Sequence, residues 1–419
     1  MPNIYPFKGW RYNYDIVDDL AKVITPPYDV INKQDQSSLY DLSPYNFIRI
    51  ILNKYPVPDK YIDSARILSE WKENEVFKQD HEKSIYLLSQ SFRDDGIKKN
   101  RIGFIAKLQI TELGDKILPH EQTISKHIND RYELMKSTEV NTGQIFMSYR
   151  DKEKVVEAIA KTYKDKQPII DFEIDDVQYK IWRISDTNEI SRIKEMMMYK
   201  KAIIADGHHR YKTAFQYSQD HPKKIGSDQV MVTFVNAHNE GMNVFPTHRI
   251  INDKGIKEDK LINRISHLFN IEKVSSASDL LIKMEQFQSL NIINIGMISS
   301  SKNCYILCYN GEKNWSNKLS ESSESLDVNI LHSLILKPAC GIDTNNQKHL
   351  KHLSYIRGNE SPIELIKKVD DFDFIFLVNA PKLDHIFDVA EAGETMPQKS
   401  TYFFPKVYSG LIFASIGDR

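Results

Sequence analysis

The stretch Lys201-Ala202-Ile203-Ile204-Ala205-Asp206-Gly207-His208-His209-Arg210-Tyr211-Lys212-Thr213-Ala214 constrains this chain more than any other. Two β-branched residues among small apolar ones make a short strand, Asp-Gly breaks it, and a helical pattern starts at once. Tyr211, Ala214, Phe215 and Ser218 recur at i, i+3, i+4 and i+7, one face of a helix. The pattern predicts strand, one-glycine turn and helix, with His208, His209 and Arg210 in the first helical turn. The opening N–H groups of a helix lack intrahelical partners and carry the positive end of its dipole, so they attract phosphate. Gly207 permits a positive φ or the close approach of a ligand. Arg210 adds a planar fork suited to phosphate oxygens. Asp206, at the strand's end, can orient a histidine, hold Mg2+ or cap the helix. A plain Asp-Gly breaker would explain the turn. It would not explain His-His-Arg, whose positive charge opposes the dipole.

The rest of the composition narrows the class. A chain of 419 residues, 41% apolar and 27% charged, is an ordinary globular sequence with room for two or three structural units. Its 56 Lys+Arg against 57 Asp+Glu leave a net charge of -1, so nothing global drives nucleic-acid binding. Three cysteines without a CxxC argue against a disulfide framework and for a reducing compartment. No signal-peptide pattern opens the chain and no apolar run is long enough for a membrane span. The expectation is a cytoplasmic protein with small-molecule partners and no membrane partner. The oligomeric state is left open.

Along the chain, Val23–Ile31 holds paired prolines and should run extended, projecting Tyr28 and Asp29 from a stiff segment. Ser43–Ile50 reads as a turn and then a strand. His120 and Glu121 follow Pro119 on a loop or helix start, where such a pair can serve as general base or metal ligand. A helix beyond them carries Asp130 and Arg131 off its apolar face. Asn141-Thr142-Gly143 reads as a turn. Strand Val230–Val235 ends near Asn236 and His238, and Met242–Phe245 runs into Thr247, His248 and Arg249. Ligand sites of open α/β sheets gather at strand carboxyl ends, so these ends are expected to join the Asp206 turn in one site. The polar stretch Asn252–Gly255 suggests a boundary: residues 1–252 as the main α/β domain, 253–419 as a smaller α+β unit. Near the end, Lys399, Ser400, Thr401 and Lys406 place hydroxyls beside lysines, a set that can bind phosphate or line an exposed edge strand.

Taken together, PPYDVI (26–31), SPYNFIRI (43–50), HEQT with DRYELM (120–123 and 130–135), ADGHHRY (205–211), PTHRII (246–251) and MPQKSTYFFPK (396–406) resemble a bacterial and archaeal family of unknown function, DUF1015. The DGHHR segment by itself is similar to the phosphate-binding element of the ParB/sulfiredoxin-like superfamily, whose members include kinases of free serine. That resemblance implies an α/β (α+β) fold with a mixed central sheet. It implies phosphate or nucleotide binding at Asp206, Gly207 and Arg210, and Glu121 as catalytic base. His120, His208 and His209 are further catalytic candidates. Arg249, Lys399, Ser400, Thr401 and Lys406 would add phosphate contacts, and Tyr28, Asp29, Arg131, Thr247 and His248 substrate contacts. The implied cofactor set is Mg2+ with ATP or ADP, the metal on Asp206, without zinc, haem or flavin. The leading expectation is phosphoryl transfer to a small hydroxyl compound such as serine. Phosphate-ester hydrolysis at the same site, or a non-catalytic nucleotide-binding module, are the alternatives. A zinc hydrolase using His120, Glu121, His208 and His248 ranks last, because no HExxH-like spacing supports it.

Overall fold

The strand, turn and helix expected at Ala202–Ala214 form in the computed structural model, the strand lying one in from the edge of a mixed sheet. The structure describes residues 2–94, 96–121, 126–311, 319–357 and 371–417. The chain divides into two compact units. Unit 1 gathers Met1–Pro119, Thr123–Asn243 and Pro405–Arg419; unit 2 gathers His120–Gln122 and Val244–Phe404. Both are α/β, and among the described residues no helix is long and apolar enough to cross a membrane.

Unit 1 has β1 (Ile4–Tyr5), β2 (Ile85–Asp94), β3 (Ile97–Gln109), β4 (Ile117–Pro119), β5 (Ile145–Tyr149), β6 (Ile170–Ile174), β7 (Val177–Ile184), β8 (Ala202–Asp206) and β9 (Gln229–Asn236). They lie side by side as β4-β8-β5-β9-β3-β2-β7-β6, with β1 also on β3. Apolarity follows position. Central β5 and β9 are buried along their whole length, whereas edge strand β6 alternates buried and exposed residues. Ile204, Met147, Val232 and Phe234 share one core beneath the sheet. The helices of unit 1 include α1 (Asp59–Glu73), α2 (Lys126–Thr138), α3 (Thr187–Met198) and α4 (His208–Asp220). Asp186 caps α3 by accepting from Asn188 N and Glu189 N, both at 2.9 Å, and so sets the chain's approach to β8. Helix α4 lies against α2, with Thr213 Oγ1 donating to Ile128 O.

Strand direction decides where the site is. β8 runs parallel to β4 and antiparallel to β5, and β5 runs parallel to β9. Strands β8 and β9 therefore point opposite ways. Asp206 stands across from Phe146 at one edge, while Asn236 stands across from Tyr149 at the other. The expectation that Asn236 and His238 join the Asp206 turn fails on this register. Asn236 instead accepts from Asp151 N at 3.0 Å and donates to Asp151 O at 2.7 Å. A second correction concerns Ser43–Ile50. Residues Ile48–Ile51 form a helical turn, because the Asn46 side chain accepts from Ile48 N and turns the backbone away from strand geometry.

Unit 2 has β10 (Thr247–Ile251), β11 (Phe269–Val274), β12 (Asn294–Ser299), β13 (Cys304–Tyr309), β14 (Leu353–Arg357) and β15 (Phe374–Leu377), ordered β11-β13-β12-β15-β10-β14 and antiparallel throughout. Successive residues of β15 feed opposite cores, Phe374 and Phe376 on one face, Ile375 and Leu377 on the other. Helices α5 (Glu258–Ile265), α6 (Ala277–Ser289) and α7 (Leu383–Glu391) accompany this sheet.

Strand β10 carries Thr247, His248 and Arg249 into the interior of unit 2. Arg249 is fully buried. Its guanidinium donates to Thr247 O, to Gln398 O at 3.3 Å and to His332 Nε2 at 3.1 Å. His332 sits in a π-helical turn, Leu331–Leu336, and accepting at Nε2 fixes it neutral with its proton on Nδ1. His248 accepts from Val378 N at Nδ1, 3.2 Å, so its proton is on Nε2. Burial, and secondarily Arg249, hold the His248 pKa down to about 4. The unfolded chain then binds a proton between pH 6.5 and 4 that the folded chain refuses. The stability linked to His248 is complete above pH 6.5 and disappears as pH falls toward 4, about 3 kcal/mol in all. Denaturant unfolding at pH 7.5, 5.5 and 4.5 should show His248→Gln with a shallower loss than wild type. Equal slopes would remove His248 from the acid sensitivity.

Candidate functional site

In unit 1 the site grows from the end of β8. Asp206 closes the strand, and Gly207 adopts φ 98°, a left-handed conformation that turns the chain directly into α4. Gly207 has no side chain with which to cap α4. A Cβ placed there would lie 3.0 Å from Arg210 Nε and 3.2 Å from its Cζ, so the guanidinium folds back over the glycine at the head of the helix. Two contacts hold it there. Nη1 donates to Gln144 O, and Nη2 lies 3.6 Å from Asp206 Oδ1. On the other oxygen of Asp206, Lys406 Nζ forms an ion pair at 2.9 Å. His208 is buried and His209 half-buried in the same turn.

Beside this element is a small cavity of about 40 Å³, space for roughly three waters or one compact anionic group. Tyr28, Arg131, Thr142, Gly143, Arg210 and Ser409 are among its walls. Tyr28 stands on the 3-10 turn Tyr28–Val30, and the Arg131 guanidinium carbon lies 4.2 Å from its ring centre. Burial raises the Tyr28 hydroxyl pKa, and Arg131 works the other way. Arg131 donates from Nη1 to Ile51 O at 2.9 Å and is clasped by Asp130, which also pairs with Lys60 and accepts from Tyr61 at 3.0 Å. Burial opposes the charge on Asp130, yet Arg131 and Lys60 outweigh it and bring its pKa down to about 2. Four cations, Lys60, Arg131, Arg210 and Lys406, thus meet two carboxylates, Asp130 and Asp206, in these clusters. Such a surplus suits an anion. Asp29 is exposed next to Tyr28.

Unit 2 brings together two segments that lie far apart in sequence. Glu121 Oε1 accepts from Ser400 N at 3.0 Å, Thr401 N at 3.1 Å and Thr401 Oγ1 at 3.0 Å, and Oε2 accepts from Lys399 N at 3.3 Å. Met396 N donates to His120 O at 2.8 Å, and Ser400 Oγ to Pro397 O at 2.6 Å. Buried His120 reaches Thr401 Oγ1 through Nε2 at 2.9 Å. With the hydroxyl donating to Glu121, His120 Nε2–H donates to the hydroxyl, giving a relay of His120, Thr401 and Glu121. Arg249 holds Gln398 O from the opposite side of this turn. Lys399 is exposed, with φ 55°.

The predicted residues therefore form two groups. Tyr28, Asp29, Arg131, Asp206, Gly207, His208, His209, Arg210 and Lys406 belong to unit 1; His120, Glu121, Thr247, His248, Arg249, Lys399, Ser400 and Thr401 belong to unit 2. Gln122 and Thr123 of the HEQT motif lie outside the described residues. Thr247 and His248 are buried in β10. Gln144, Gly143 and Ser409 were missed. The turn Asn141-Thr142-Gly143 announced only a change of direction, although a Cβ on Gly143 would come 3.2 Å from Arg210 Nη1 and 3.3 Å from Ser409 Oγ.

Comparison with known proteins sets this chain in context. Among solved structures it is similar to a free serine kinase in complex with AMP, at 11% identity and TM-score 0.37, covering 69% of this chain and 84% of that one. SbnI with a C-terminal truncation, from Staphylococcus aureus, gives 11% identity, TM-score 0.35, and 70% and 82% coverage. A conserved hypothetical protein from Pyrococcus furiosus gives 15% identity, TM-score 0.34, and 70% and 89% coverage. No curated protein sequence matches. The family profile described as "Protein of unknown function (DUF1015)" matches residues 4–329, more than three-quarters of the chain, and the chain belongs to that family.

Proposed function

We propose that this protein is a nucleotide-dependent phosphotransferase acting on a small hydroxyl compound, with free serine as the first acceptor to test. One observation carries the reading: at the carboxyl end of β8, left-handed Gly207 opens α4 under the Arg210 guanidinium, beside the Asp206–Lys406 ion pair. The helix dipole, Arg210 and Lys406 hold the donor phosphates. His208 or His209 meets the charge that develops on the transferring group. The acceptor oxygen bonds to the terminal phosphorus as the bond to the bridging oxygen breaks. The acceptor's proton passes to Glu121, and the electron pair departs with the shortened nucleotide. Support for Glu121 comes from the resemblance of the HEQT and DGHHR segments to those of the family, which assigns a glutamate the part of base. In this reading Arg249 positions the 397–401 turn around Glu121, and Lys399 adds an exposed cation.

Mg2+ enters with the nucleotide, as part of the substrate. Asp206 does not fit the part of resident metal ligand, because Lys406 and Arg210 already neutralise its two oxygens. Among the described residues no group of three or more His, Cys, Asp or Glu is placed to hold a metal ion.

Incubation with ATP or ADP, Mg2+ and a panel of amino acids and small alcohols, followed by phosphorus NMR, should yield a phosphorylated acceptor. Phosphate release alone would replace the transferase with a hydrolase, and nucleotide binding without turnover would overturn catalysis altogether. Arg210→Ala should lower kcat/KM by roughly 10²–10³, and Arg210→Lys should recover only part of it, since the fork is lost. Glu121→Gln should lower kcat by about 10²–10⁴. Its unfolding midpoint must be measured alongside, because the carboxylate also folds the 397–401 turn. Gly207→Ala should cost about 1 kcal/mol or more through its positive φ and weaken nucleotide binding by displacing Arg210. An alanine variant that binds nucleotide like wild type would contradict the role given to this turn.

A further inference from the structure

A second cavity, of about 220 Å³, lies wholly within unit 2, with Asn291, Ser325, Asp327, Asn379, Lys382 and His385 among its walls. It is smaller than the roughly 300–1,000 Å³ pockets that take drug-sized ligands, so its occupant is a small molecule. Asp327 is 8% exposed. Its Oδ2 accepts from Asn379 N at 2.6 Å and Asn379 Nδ2 at 3.1 Å. Asn379 is itself anchored by donating to Asn294 O at 3.1 Å. The carboxylate is thus held rigidly by amides, and among the described residues it forms no ion pair. A carboxylate buried this deeply is costly to keep ionised, and buried Arg249 opposes that cost only from a distance, without a salt bridge. Burial lifts its pKa to about 6 against the opposing amides, which leaves it ionised at neutral pH. The C-terminal end of α6, with the negative pole of its dipole, leads into Asn291, which also lines the cavity.

The cavity also has a positive side. Exposed Lys382 is the N-cap residue of α7, at the positive pole of that helix, with His385 one turn in, and both residues line the cavity. Neither set of charges alone would define a ligand. Together they do.

We infer that this cavity binds a small zwitterion with an ammonium and a carboxylate a few bonds apart, the chemistry of a free α-amino acid, its ammonium on Asp327 and its carboxylate at Lys382 and the head of α7. The site shares no residue with the phosphate element and does not depend on the phosphotransferase reading.

The test uses the full chain without nucleotide at pH 7.5. Calorimetric titration with each of the twenty protein amino acids should find at least one that binds, with ethylamine and acetate at least tenfold weaker than that amino acid. Asp327→Asn should weaken its binding tenfold or more, and Lys382→Ala, an exposed substitution that leaves the core untouched, severalfold. The proposal is overturned if no amino acid binds at millimolar concentration. It is equally overturned if ethylamine or acetate binds as tightly as the amino acid, or if Lys382→Ala and a folded Asp327→Asn both bind like wild type.

Discussion

The left-handed backbone at Gly207 is the constraint on which the unit 1 site depends. A residue with a side chain would meet strain at φ 98° and would collide with Arg210. Because the turn takes one residue, no loop separates the end of β8 from the first turn of α4. Asp206, both histidines and Arg210 are therefore fixed to rigid elements rather than to a mobile segment, the condition under which a few charges can be aimed at a ligand with little reorganisation. Packing beneath the turn is equally firm: Ile203 and Ile204 are fully buried, and Tyr211 and Ala214 anchor the helix on the core that Ile204 enters.

Unit 2 solves a related problem by different means. The segment Met396–Thr401 has no regular structure of its own, and its shape comes from the groups it surrounds. Glu121 gathers three successive backbone N–H groups from inside the turn, while Arg249 grips Gln398 O from a fully buried position. Burying that guanidinium carries a desolvation penalty, which hydrogen bonds to two carbonyls and a neutral histidine offset. Placing a cation inside a small sheet domain beside the loop favours one loop conformation, since an alternative would cost the buried cation its Gln398 acceptor.

How much of this could be read in the sequence follows from how local each signal is. The turn at 206–207 was legible because every determinant lies within a dozen residues. The direction of β9 was not. An apolar strand has the same pattern whichever way it runs, and only its pairing with β5 reveals that Asn236 leaves by the far edge. Ser43–Ile50 was misread because isoleucines favour strands, while the decisive contact is one side-chain acceptor, Asn46. Arg249 reads as a phosphate contact at a strand end, and its burial is not legible because its partner His332 is 83 residues away. Tyr28, Arg131 and Arg210 were each singled out for separate reasons, and nothing in their spacing said that one cavity would join them.

The path of the chain through the two units has a consequence for how the protein is made. Unit 1 takes in Pro405–Arg419, whose residues pair with the oldest parts of the polypeptide: Phe413 with Trp10, Ser409 with Thr25, Ala414 with Asn141. Ser409 also walls the cavity that holds Arg210, and Lys406 completes the ion pair on Asp206. On the ribosome the Asp206 turn would emerge roughly two hundred residues ahead of Lys406 and Ser409, which pack beside it. The nascent protein therefore carries a half-built cavity until the 405–416 segment has emerged and paired with strands made hundreds of residues earlier.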